Sequence, residues 1–210
     1  AGVSAITVSR AIRLPDKVSD DARRRVRAAI DKLGYVPDPA ASALASARTS
    51  VVGLLVPSLS NAVFADLLRG VYDAVEDTRL TVQIGNFRYA PSKEEGLIRT
   101  FLRQRPAGLI VTGVDQTEAA RRLLEGAPCP VVQTMDVSDG AVDRIIGFSQ
   151  REGGALAARH LIEAGYRRPA FLGARMDPRS QERMHGFLGE VDGAGLSDPR
   201  RALTTPRPSS

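Results

Sequence analysis

The sequence predicts an α/β protein: a small, basic, helical head followed by a body built on a doubly wound parallel sheet. Three observations carry that expectation. From Val51 onward, short apolar runs alternate with amphipathic helical stretches, as in parallel sheets covered by helices on both faces. Before Val51 the periodicity is helical only. Between the two lie Pro37-Asp38-Pro39 and an alanine-rich stretch, which punctuate the chain as a junction.

The totals fit such a protein. The chain has 210 residues, 43% hydrophobic and 25% charged, enough for a sizeable core. It has no run of about 18 apolar residues and no opening pattern of a secretory signal, so a cytoplasmic protein without membrane contact is expected. The single cysteine, Cys129, lies between two prolines and is expected to be a buried, reduced thiol. The net charge of +5 is uneven. Residues 1–50 hold nine Lys/Arg against five Asp/Glu, whereas residues 51–150 hold ten against twelve. A basic head on a near-neutral body suits nucleic-acid binding, although a solvated basic helix carries the same charge.

The opening stretch, AGVSAITVSRAI, reads as a glycine turn into a helix capped by Ser4. Ile6, Val8, Ala11 and Ile12 form its apolar set. Thr7, Ser9 and Arg10 supply donors for phosphates and base edges. Such a helix resembles the second helix of a helix-turn-helix, so a supporting helix is expected before Ala1 and the head reads as incomplete. Pro15 breaks the chain. Ser19 then caps a second helix with Asp20-Asp21 at its start and an apolar stripe of Ala22, Val26, Ala29, Ile30 and Leu33. Gly34 ends it. Asp38 and Pro39 open a short hinge helix over Ala40–Ala47. Its one large apolar side chain, Leu44, is either part of a linker or a wedge for a minor groove.

In the body, VVGLLV is a buried strand and Asn61–Thr78 an amphipathic helix bearing Phe64, Leu67, Leu68, Val71 and Val75. LTVQIG, AGLIVTG and PVVQTM are further strands, separated by helices at Ser92–Gln104 and Thr117–Glu125. RIIGFS is strand-like. Gly153-Gly154 is expected to open a helix running to Ala164. AFLGA is a strand, and Arg179–Val191 a helix. The closing LSDPRRALTTPRPSS reads as proline-rich chain without a closing element, so more body is expected beyond it. The expected organisation is a head at 1–37, a hinge and linker at 38–50, a first lobe at 51–149 and an incomplete second lobe at 150–210.

No dinucleotide or P-loop fingerprint is present, nor a nucleophile elbow. His160 and His185 stand apart from metal-ligand spacings, and the carboxylates read as solvated helix faces. Neither a cofactor nor catalysis is expected.

The stretches VSAITVSRAI, Val18-Ser19 and LGYVPDPAASALAS resemble the DNA-binding head and hinge of the lactose/galactose repressor (LacI/GalR) family. VGLLVPSLSN, RPAGLIVTG, PVVQTMD, HLIEAGYRRPAFLG and ERMHGF continue the resemblance through the body. PSLSNAVFADLLRGV and YRRPAFLGARMDPR are most similar to the gluconate-utilisation repressors within it. The resemblance implies a homodimer, or sometimes a tetramer, on double-stranded operator DNA. It also implies a periplasmic-binding-protein-like body whose two lobes enclose a sugar or sugar acid that shifts operator affinity. It places Ala5, Ile6 and Arg10 at base edges; Thr7, Ser9, Ser19, Arg23 and Tyr35 at phosphates; and Leu44 in the hinge. Ala5 and Ile6 lack donors, so contact with a thymine methyl replaces a hydrogen bond there.

For the effector, the resemblance places Ser58, Asn61 and Phe64 after the first body strand, Arg88 or Tyr89 after the second, and Asp136 after the fourth. Arg179 and Arg183 fall on the second lobe, one helical turn apart, as a fork for a carboxylate. Without the resemblance, the same arginines read as a surface pair bridging to Asp177 and Glu182. The alternative function is a sugar-binding protein without a DNA role.

Overall fold

A computed structural model describes residues 1–36, 49–174 and 176–205. The expected hinge helix and Leu44 lie outside the described residues. The chain forms two compact units, Ala1–Ala47 and Arg48–Ser210.

In the first unit, α1 spans Ala5–Arg13 and α2 spans Asp20–Leu33, joined by a 3-10 turn at Pro15–Lys17. Ser4 Oγ accepts from Thr7 N and Ser19 Oγ from Ala22 N. Each thereby satisfies an orphan donor of a helix start. Gly34 closes α2 in the left-handed region at φ 58, where Tyr35 N donates to Ile30 O. No neighbour crowds its open side, so Gly34→Ala is expected to destabilise the head by about 1 kcal/mol from backbone strain alone, measurable by urea unfolding. Val26 is buried between the helices, with Ala22, Ala29 and Ile30 half-buried. The stripe ends earlier than its periodicity suggests, because Leu33 in the last turn is exposed.

The second unit opens with a wholly parallel sheet of five strands, β1 (Val51–Val56), β2 (Thr81–Asn86), β3 (Gly108–Thr112), β4 (Val131–Thr134) and β5 (Arg144–Ile146), in the order β2-β1-β3-β4-β5. Helices α3 (Ala62–Val75), α4 (Pro91–Arg103) and α5 (Glu118–Glu125) connect the first four strands. Alternation along β1 divides the core. Leu54 and Val56 pack with Phe64 beneath α3, while Leu55 joins Ile98, Phe101 and Leu124 beneath α4 and α5. Cys129 is buried in this second cluster. The strand order reverses between β1 and β3, and the carboxyl ends of such strands form a crevice suited to ligands.

Beyond β5, α6 spans Gln150–Glu163, β6 Phe171–Gly173 and α7 Pro178–Gly193. Two expectations are corrected here. Helix α6 begins at Gln150, not at the glycine pair, because Ser149 Oγ accepts from Glu152 N and caps it there. Gly154 instead serves packing: a Cβ on it would lie 2.0 Å from Arg183 O, and one on Gly186 1.8 Å from Arg151 O. The α6–α7 seam therefore closes backbone to backbone. The proline-rich terminal stretch also contributes an element. Pro199–Arg201 forms a 3-10 turn capped by Asp198, and Ala202–Thr204, here β7, pairs in parallel with β6. Ala158, Phe187 and Val191 form a separate core cluster here.

Candidate functional site

Around Ser58, the loop between β1 and α3 is built from hydroxyl and amide caps. Ser58 Oγ accepts from Ser60 N and Asn61 N, and Asn61 Oδ1 caps α3 at Val63 N. After β2, Arg88 and Tyr89 both adopt left-handed backbone conformations, at φ 53 and 55, which strains residues carrying a Cβ. These loops face α7, and between them lies a cleft of about 580 Å³. Ser58, Ser60, Asn61 and Tyr89 line one side; Asp177, Ser180 and Arg183 line the other, with Leu172–Ala174 at its end. The lining combines hydroxyls, an amide, a carboxylate and one exposed guanidinium. That set can hold a polyhydroxylated anion, with the fork on the carboxylate.

Arg183 is held in place. Its Nη1 donates to Gln150 Oε1 at 2.7 Å and its Nη2 to Ser180 Oγ at 3.1 Å. Glu182 pairs with Arg151 and His185, so Arg183 is not bridged to it. Asp177 accepts from Ser180 N as the cap of α7.

Four residues expected at the effector are not among those that line this cleft. Phe64 is buried with Leu54 and Val56, because it sits on the core stripe of α3. Arg88 is exposed, and its N donates to Asn86 Oδ1. Asp136 turns its Oδ1 to Val137 N. Arg179 is buried beside the end of β3, where its Nη1 would come within 2.9 Å of a Cβ on Gly113. It approaches Asp115 and Glu94 there rather than joining Arg183.

Sequence reasoning missed Glu94. It is 5% exposed, and burial pushes its carboxyl up to about 7, helped by Asp115 and opposed by a hydrogen bond from Gln116 and by the Arg179 charge. The Gln116 amide donates to Glu94 Oε1, and Gln133 Nε2 donates to Gln116 Oε1. Helical spacing held the signal: Glu94, Ile98 and Phe101 share one buried stripe of α4. Asp177 and Ser180 were also missed as cleft residues. Among the described residues, no group of three or more His, Cys, Asp or Glu could hold a metal.

In the head, α1 presents Ala5, Ile6 and Arg10 outward, with Ile6 65% exposed. The Thr7 hydroxyl lies 2.9 Å from that of Ser4, and Ser9 is half-buried. Arg23 pairs with Asp20, and Tyr35 is exposed. Arg25, one of the basic residues of α2, donates to Ala1 O and Gly2 O and secures the turn ahead of α1.

The chain thus combines a helical head with a parallel-sheet body that carries a polar cleft. Residues 1–38 match the profile of bacterial regulatory proteins of the lacI family, and residues 49–207 that of periplasmic binding proteins and the sugar binding domain of the LacI family. The chain belongs to the LacI family of bacterial regulatory proteins. It is 45% identical over its full length to the HTH-type transcriptional regulator GntR of Pseudomonas aeruginosa, covering 61% of that protein. It is 34% identical over 195 residues to GntR of Escherichia coli K12, covering 93% of this chain and 59% of that one. A solved LacI-family transcriptional regulator from Silicibacter pomeroyi superposes with a TM-score of 0.87 at 40% identity, over all of this chain and 62% of that one. The chain thus spans about three fifths of the length of the relatives it matches. Among the described residues, no helix is long and apolar enough to cross a membrane.

Proposed function

We propose that this chain acts as a sequence-specific DNA-binding transcriptional repressor whose operator affinity is set by a small sugar acid such as gluconate. The observation that carries the effector assignment is the exposed Arg183 guanidinium in a cleft whose other polar lining is hydroxyls, the Asn61 amide and the Asp177 carboxylate. Ser58, Asn61 and Tyr89, with Asp177 and Ser180 from the facing side, address the ligand hydroxyls. Arg179 acts from behind, as a second positive charge at the end of β3.

In the head, Ala5, Ile6 and Arg10 meet base edges, and Thr7, Ser9, Ser19, Arg23 and Tyr35 meet phosphates. The outward row of Ala5, Ile6 and Arg10 supports this assignment. The protein works as a cytoplasmic homodimer on a palindromic operator, without cofactor or catalysis. Fluorescence anisotropy of a labelled palindromic operator tests the proposal: gluconate is expected to weaken binding. Unchanged affinity across gluconate and related aldonates refutes the effector assignment. Absence of operator binding favours a sugar-binding protein without a DNA role.

A further inference from the structure

We propose that Gln150 is the positioning residue that fixes the Arg183 guanidinium in the cleft and ties it to the end of β4. This rests on the sugar-acid reading of the cleft. Gln150 is 3% exposed at the first position of α6. Its Nε2 donates to Met135 O at 2.7 Å, while its Oε1 accepts from Arg183 Nη1 at 2.7 Å. The two neighbours dictate the amide orientation. Reversed, it would set a donor against the guanidinium and an oxygen against the Met135 carbonyl. A glutamate could serve Arg183 but not the carbonyl, and a leucine could serve neither.

The same helix holds Arg183 from its other end, since Gly154 lies against the Arg183 carbonyl. One helix therefore seats both the backbone and the side chain of this arginine. Gln150 and Ser180 engage two of the five guanidinium N–H groups, leaving three for an anion. A long side chain ordered before the ligand arrives spares the ligand that entropy. The anchor at Met135 lies directly after β4, in a left-handed conformation at φ 70, so the cation is registered to the five-stranded sheet as well as to its own lobe.

The test compares the 210-residue wild type with Gln150→Leu and Gln150→Glu. The probes are gluconate and gluconamide, the latter lacking the negative charge, titrated by calorimetry. Guanidinium ¹⁵N signals of the ligand-free proteins are recorded in parallel, with Arg183 assigned by Arg183→Lys. Gln150→Leu is expected to lose the slowly exchanging Arg183 signals and to bind gluconate about tenfold more weakly, with gluconamide unchanged. Gln150→Glu is expected to keep those signals while losing affinity for gluconate selectively, because its charge neutralises the cation. Unchanged Arg183 signals in Gln150→Leu, or equal losses for both probes, overturn the proposal. If the wild type binds neither probe, the sugar-acid reading fails, and the guanidinium signals still decide whether Gln150 orders Arg183.

Discussion

Arg183→Ala is expected to remove the response to gluconate while leaving ligand-free operator binding intact. In the proposed complex the side chain supplies the charge-assisted hydrogen bonds to the ligand carboxylate. Losing them costs about 3 kcal/mol, roughly a hundredfold in dissociation constant. The seam survives the change, because Arg183 meets Gly154 through its carbonyl oxygen; the Gln150 and Ser180 oxygens lose a donor, which water entering the cleft replaces at a modest cost in stability. Calorimetry with gluconate measures the first effect and operator anisotropy the second. Unaltered gluconate affinity would move Arg183 out of the site.

The second large effect concerns Glu94. Its carboxyl is raised from 4.5 to about 7, chiefly by burial. A raised carboxyl favours the protonated folded state. Its contribution to stability is fully present below about pH 4.5 and is lost as pH rises through 7. Glu94→Gln keeps an oxygen to accept from Gln116 and removes the titration. The variant is expected to match the wild type at pH 4 and to exceed it by up to about 3 kcal/mol at pH 8. Urea unfolding of both proteins between pH 4 and 8 checks this. A stability difference that does not change with pH would refute it.

Much of the fold was legible because local chemistry and tertiary structure agree. Ser4, Ser19, Asn61, Thr117 and Asp177 each cap the helix that follows. VVGLLV is continuous in apolar character because both faces of its strand are covered. Legibility failed where non-local partners decide. β7 is three residues long within proline-rich chain, and its pairing with β6 bridges some thirty residues. Glu94 was assigned to solvent by residue type, against the helical spacing that placed it inward. Phe64 was drawn into the cleft by resemblance although its own stripe already assigned it to the core. Arg179 and Arg183, four residues apart, were expected to act as one fork. At the start of α7, however, Arg179 extends toward Gly113, and only Arg183 lines the cleft.

The seam between α6 and α7 bears on how this protein can diversify. Gly154 and Gly186 meet the carbonyl oxygens of Arg183 and Arg151, atoms that every amino acid supplies. Positions 154 and 186 are thereby frozen, while the side chain at 183, in the cleft, answers to Gln150 and Ser180 rather than to the seam. A descendant that exchanged Arg183 for a residue suited to a neutral sugar would inherit the glycine seam unchanged but would have to replace Gln150 as well, whose oxygen Arg183 satisfies. The seam is encoded apart from recognition, so selection can rewrite the Gln150–Arg183 pair without revisiting the glycines.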